Sequence, residues 1–402
     1  PASSFVFQYK EKKMNAVRSI VAGVLCLAAG VAGAAPLYQC PLTVSGYAEG
    51  KAALADFPVL VRISTAIDQF NYGDCAAGGA DISFTSEDGE TVYPHEVDTW
   101  NPDGESLVWV KLPSMAHGTK FLFRWADPNP LAKNDPTQVW PGYVGVWHFS
   151  SLVESTTVKN SARNDYDLKF PEGKTGSIAE NAPAGMGLFC ENGTMRTKDY
   201  EPEFKVGGKF TATGWFYLPT YSGTSGKYAG FVSKKVGLDW SANTGWYLQM
   251  NQSKTTVGLV ESGSTETKYA SLPDVTKNWN HFALISDGTY ARAYFNGSSS
   301  AGINRQTEIK ASSTEFQVGG SGDYIDEFRL RKGAVSVDWA GAEYATVAMA
   351  DYLTAGTTEI LSPAAIVVSS DGPRYGVVSP DYGRITEPEA GTTCDFSCTV
   401  AT

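Results

Sequence analysis

Along most of this chain, short apolar stretches alternate with polar residues and are broken by Gly, Pro, Asn or Asp. Successive side chains of a strand point to opposite faces, so a period of two predicts strands rather than helices. In residues 54–63 (LADFPVLVRI) the alternation after Pro58 predicts a strand buried on one face. Residues 80–97 give two further strands around Asp88-Gly89, a pair suited to the positive-φ positions of a tight hairpin turn. The runs SLVWVKLPSM and TKFLFRWAD repeat the pattern across a turn at Gly118. A small antiparallel β domain is expected over residues 35–130.

The next sixteen residues, PNPLAKNDPTQVWPGY, hold four prolines, which remove ladder donors and disfavour both helix and central strand, so residues 131–142 read as a linker. From Tyr143 short strands recur, among them VGVWHFS, KFTATGWFYLP, WNHFALISDG and YIDEFRLR, with a strong hairpin signal at Asn296-Gly297. This spacing predicts a two-sheet sandwich or jelly roll over residues 143–355. The single expected helix lies in VSVDWAGAEYATVAM. Residues 356–370 read as a second linker, and 371–402 as the first strands of a further β unit that is cut short.

Composition supports an all-β fold of at least two units. A chain of 402 residues exceeds what one core normally serves, and 41 Gly with 12% aromatic and 19% charged residues suits strands joined by turns. The net charge of -11, with no basic run to offset it, repels phosphate backbones and argues against nucleic acid as a partner.

From Met14 the chain reads as a secretory leader: one Arg, an apolar run, and the small residues Ala32 and Ala34 at the -3 and -1 positions. Cleavage after Ala34 is expected, with residues 1–13 upstream of the initiator. The run is too short and too rich in Ala and Gly for a span, so the mature form is expected to carry no membrane helix and to be secreted, periplasmic or on the cell surface. Leu25 before Cys26 does not suit lipidation. An exported chain meets an oxidising compartment, where Cys40 and Cys75 are expected to pair, as are Cys394 and Cys398.

Two resemblances follow. DFPVLVRI, then GADISFTSEDGE, then the Trp100 to Trp109 stretch WNPDGESLVW and a strand ending RWADP, resemble the bacterial domain of unknown function 2341 over roughly residues 40–130. The phrases GVWHF, KFTATGWFYLP, NWNHFALISDGTYARAYFNG and YIDEFRLRKGAVSVDWAGAEY resemble the concanavalin A-like and laminin G-like jelly rolls over about residues 143–352. The second resemblance implies an architecture and a class of roles, binding of glycans, proteins or Ca²⁺, without naming a ligand.

The candidate chemistry is sparse. Retaining glycoside hydrolysis needs two carboxyls about 5 Å apart in one cleft. Asp326 and Glu327 are neighbours, which in a regular strand face opposite ways. The four imidazoles, His95, His117, His148 and His281, show no close metal spacing, and His148 and His281 read as hydrogen-bonded structural residues. No Gly-x-Ser-x-Gly elbow presents a nucleophile. Weak Ca²⁺ candidates are Asp323 and Asp326, with Asp287 or Asp165 as further oxygen donors; no other cofactor is expected. For glycan stacking the aromatic candidates are Trp240, Trp246, Tyr247 and Tyr228, around a Gly/Ser-rich stretch, whereas Trp215 and Trp279 read as core. The expectation is an exported, non-catalytic binding or adhesion module that takes an extracellular glycan or surface component. A ligand-free structural spacer and a glycoside hydrolase on the same fold are the alternatives.

Overall fold

The computed structural model describes residues 37–361 except 128–129, 132–133, 198–207, 220–227, 235–243, 252–253, 265–266, 272–277, 305–306 and 311–314, together with 366–368 and 375–377. Almost every described element is a strand, and all strand pairings are antiparallel, as the period-two pattern requires.

The smaller unit stacks two sheets. One places Lys120–Trp125 between Leu37–Val44 and Ser83–Ser86; the other runs Leu54–Ile63, Ser106–Met115, His95–Thr99. Phe57, Val59, Val61, Val108, Val110, Phe121 and Phe123 fill the space between them. The chain returns to this unit after the larger one: Leu353–Ala355 and Glu359–Leu361 both pair with Leu37–Val44, in registers Leu42 to Ala355 and Leu37 to Leu361.

The larger unit is a sandwich of two extended sheets. One holds Tyr324–Lys332 next to Lys209–Tyr217, with Asn280–Asp287 and Tyr290–Phe295 beyond, and Tyr143–Trp147 paired to Tyr324–Lys332. The other centres on Trp246–Asn251 and its neighbours Tyr228–Lys234 and Lys254–Val260. Trp147, Phe210, Phe282, Phe316 and Phe328 pack between them. The expected helix forms over Val337–Ala348, with the Ser336 hydroxyl accepting from the Trp339 amide at its start.

Two local expectations change. Leu54–Ile63 and Ser106–Met115 are covered on both faces, because Leu60, Leu107 and Trp109 point away from the small core into a third cluster with Trp140, Tyr143, Val146 and Trp215. The proline-rich segment also contains one helical turn, Pro136–Val139. Pro136 sits at its first position, where a missing N–H is harmless, and Asp135 caps it. The turn buries Trp140 against Trp109 at 5.5 Å between ring centroids.

Candidate functional site

A set of titratable and charged side chains is sealed in the seam where the three-stranded sheet of the small unit meets the outer face of the sandwich. His148 follows the strand Tyr143–Trp147. Its Nδ1 lies 2.7 Å from Glu327 and its Nε2 lies 3.1 Å from Glu96. Glu96 also accepts from the Trp140 indole at 2.6 Å. Arg329 donates to Glu327 at 2.6 Å and to Glu343 of the helix at 3.1 Å, and Glu343 accepts from Thr213. Glu96, His148, Glu327, Arg329 and Glu343 are each no more than 5% exposed.

A bulge makes this possible. Trp215 pairs with Asp326 and Thr213 with Arg329, so one extra residue of Tyr324–Lys332 is accommodated, and Glu327 takes a φ of 50°. Asp326, Glu327 and Arg329 therefore share the seam face while Phe328 enters the core. The expectation that Asp326 and Glu327 face opposite ways is thus corrected, since it assumed an unbroken strand.

The electrostatics follow from burial. Desolvation opposes charge on His148, but Glu327, Glu96 and Asp98 outweigh it and hold the imidazolium well above its usual pKa. Burial raises Glu96 and Glu327 as well, and for both the charge of His148 prevails, leaving each carboxylate below its ordinary range. Desolvation pushes Asp98 up to about 6, against the opposing pull of His148. Desolvation and the adjacent Glu327 drive Asp326 well up; one of its oxygens accepts from the Ala184 amide at 2.8 Å and the other has no partner.

Asp98, His148 and Glu327 could place one ligand atom each around a metal ion. Both imidazole nitrogens are already committed to carboxylates, however, so an ion would first have to displace a proton from a doubly held imidazolium. The arrangement fits a structural ion network better than a metal centre. Glu96, Glu327 and Glu343 are also closed to substrate.

An open cleft of about 470 Å³ lies at the edge of the same seam. Arg62 comes from the end of Leu54–Ile63 and Glu105 from just before Ser106–Met115; they pair at 2.6 Å. Trp215 lies on Lys209–Tyr217, Trp279 just before Asn280–Asp287, and Tyr344 on the helix. Trp215 and Tyr344 stack with centroids 5.4 Å apart, backed by His281 at 5.1 Å from Trp215. Trp279 and Tyr344 are half-buried, and Asn181 is exposed where its hairpin bulges at a φ of 62°.

The residues singled out in the sequence do not gather at this cleft. Trp246 is 1% and Tyr247 2% exposed, and Trp246 packs against Phe210 at 5.0 Å, so neither offers a ring face to a sugar. Their strand is inside the sandwich because its alternation places Trp246 and Leu248 in the core. Trp240 lies outside the described residues, and Tyr228 is described only as the first backbone position of Tyr228–Lys234. Asp323 and Asp326 are both enclosed, and among the described residues neither belongs to a group able to surround an ion. Asp287 accepts from the Thr289 and Tyr290 amides, and Asp165 pairs with Arg163. Cys40 and Cys75 are free thiols, which corrects the expected pairing: Cys40 is buried in the small core, while Cys75 sits on a short loop turn with its sulfur on the Asn71 carbonyl. Cys394 and Cys398 lie outside the described residues.

Trp215, read as core, is buried in the third cluster, whereas Trp279, also read as core, is only half-buried; both line the cleft. The buried network had a legible signal: Glu96 with Asp98, and Glu327 with Arg329, are charges two apart in strand-like runs, hence on one face. That the face would be covered by another unit was not legible.

Residues 191–339 match the family described as the concanavalin A-like lectin/glucanases superfamily. No curated protein matches the sequence. Solved structures that match include the binding domain of Paraclostridial mosquitocidal protein 1, 13% identical at a TM-score of 0.40 over 50% of this chain and 52% of that one. The botulinum neurotoxin serotype D binding domain is 10% identical at a TM-score of 0.40, over 50% of each chain. The serotype D ligand-binding domain in complex with N-acetylneuraminic acid is 9% identical at 0.39, again over 50% of each. This chain thus spans about half the length of each of these structures. The larger β unit is accordingly similar in sequence to concanavalin A-like domains from residue 191 to residue 339.

Proposed function

We propose that this chain is an exported, non-catalytic carbohydrate-binding β protein whose saccharide site is the seam cleft. The observation that carries the reading is the gathering of Trp215, Trp279 and Tyr344 beside Arg62, Glu105 and Asn181 in one open concavity. Aromatic faces cover the C–H surface of a sugar, and a few polar groups at the edge fix its orientation. The family match, which includes lectins, is consistent with this role. Against hydrolysis, Glu105 is the one carboxylate among the described lining residues, whereas glycosidases of the usual kind need two.

The small unit, read as the domain of unknown function 2341, is more than a companion in this proposal, because it supplies Arg62 and Glu105. Export rests on the leader at residues 14–34. A glycan array probed with the mature chain from Ala35, with and without Ca²⁺, tests the reading. Saccharide binding that is lost in Trp279→Ala supports it, and the absence of any saccharide hit rejects it. N-terminal sequencing of the exported form should begin at Ala35.

A further inference from the structure

We infer that the cleft admits uncharged saccharides and turns acidic ones away, an inference that rests on its being a sugar site. Arg62 is the one cation among its described lining residues. A guanidinium captures a sugar carboxylate by offering a fork of N–H donors. Here Nη1 donates to Glu105 at 2.6 Å and Nη2 donates to the Pro183 and Val347 carbonyls at 3.0 and 2.9 Å, while the Nε–H has no partner but is enclosed, so the fork is not presented to a ligand. Three separate elements thus hold Arg62 in place, so it closes the seam rather than waiting for a ligand.

The charge left facing solvent is negative. The Glu105 side chain is 44% exposed, against 20% for Arg62. A uronate or sialate entering the cleft would meet that carboxylate and find no free cation in exchange, and placing like charges together is the ordinary way a site rejects a ligand. The net charge of -11 adds to the repulsion at longer range. A neutral sugar suffers neither penalty. It can lay an apolar face on the half-exposed Trp279 and give its hydroxyl protons to the free oxygen of Glu105, while the Asn181 amide supplies both a donor and an acceptor.

The test uses the mature chain on an array of matched neutral, sialylated, uronate-bearing and free-amine oligosaccharides. Hits are then measured by calorimetry for wild type, Trp279→Ala and Glu105→Gln, with melting curves for each. Hits among neutral glycans and none among acidic ones are expected, the neutral ones weakened at least about tenfold in a stably folded Trp279→Ala. Glu105→Gln is expected to admit sialylated or uronate glycans that wild type rejects, because Arg62 then carries an uncompensated charge. Acidic glycans bound by wild type as tightly as neutral ones would overturn the selection while leaving the sugar reading intact. Failure of Glu105→Gln to admit any acidic glycan would overturn the role given to Glu105. Neutral binding unaffected by Trp279→Ala would overturn the cleft as the site, and no binding of any class would overturn the glycan reading itself.

Discussion

The guanidinium of Arg329, on the sandwich, lies 4.1 Å from the centre of the Trp109 ring, on the small unit, and 4.7 Å from that of Trp140. Both rings are enclosed. A cation over an indole face gains more when water is excluded, and here the same cation also neutralises Glu327 and Glu343. One side chain therefore joins the two β units and the helix.

Replacing Arg329 with Met keeps much of the side-chain volume but leaves Glu327 and Glu343 buried with less compensation. Stranding one partner of a buried ion pair costs about 3 to 5 kcal/mol. Denaturant unfolding of Arg329→Met should show a loss of that order. A change below about 0.5 kcal/mol, the size of an ordinary surface substitution, would mean the network contributes nothing to the fold.

His148 gives the network a pH signature. Its folded pKa is raised well above the usual value, so its stabilising contribution is fully present below the unfolded value near 6.5 and is lost as pH climbs through the raised one. The expected loss therefore falls in the alkaline range. Unfolding of wild type and His148→Gln from pH 7 to pH 10 should show the gap between them narrowing as pH rises. A gap that closes already between pH 6 and 7 would mean the imidazolium is not held by Glu96 and Glu327.

Much of the fold was legible before the structure. Period-two patterning marked strands such as Lys209–Tyr217 and Asn280–Asp287, and the one long helix among the described residues lies inside the stretch expected for it. The site was less legible, for a physical reason. Pattern distinguishes a strand's two faces, but it does not say whether the second face meets water or another sheet. Trp109 and Trp215 look like ordinary core residues because each is indeed buried; the surface that buries them belongs to the other unit. The Glu327 bulge was likewise hidden, since nothing in the local order of residues marks where a strand takes in an extra one.

Asp323 supplies a test that separates a structural acid from a calcium ligand. It is 2% exposed, one of its oxygens has no partner, and desolvation pushes it up to about 8. A carboxyl raised in the fold binds more protons there than in the unfolded chain, so its effect is to lower stability as pH rises from about 4 to about 8. Asp323→Asn should remove that slope and be more stable than wild type at pH 9, by roughly 2 to 5 kcal/mol. If the variant instead loses stability only when Ca²⁺ is present, Asp323 is a metal ligand after all.

Trp246 and Trp279 should respond to the same substitution in opposite ways. Trp246 is enclosed by Phe210 and Phe316 at 5.0 and 6.1 Å, so Trp246→Ala opens a cavity and should cost about 3 to 5 kcal/mol of stability. Trp279 is half-exposed, touching Tyr217 and Tyr324 on one side and the cleft on the other. Its truncation gives up little packing and should cost about 1 kcal/mol or less, while removing roughly 1 to 3 kcal/mol of saccharide affinity, as an anchoring aromatic does. Paired melting and calorimetry on the two variants checks both halves. Equal loss of stability in the two would place Trp279 in the core, and a stable Trp279→Ala with undiminished saccharide binding would move the site away from the seam.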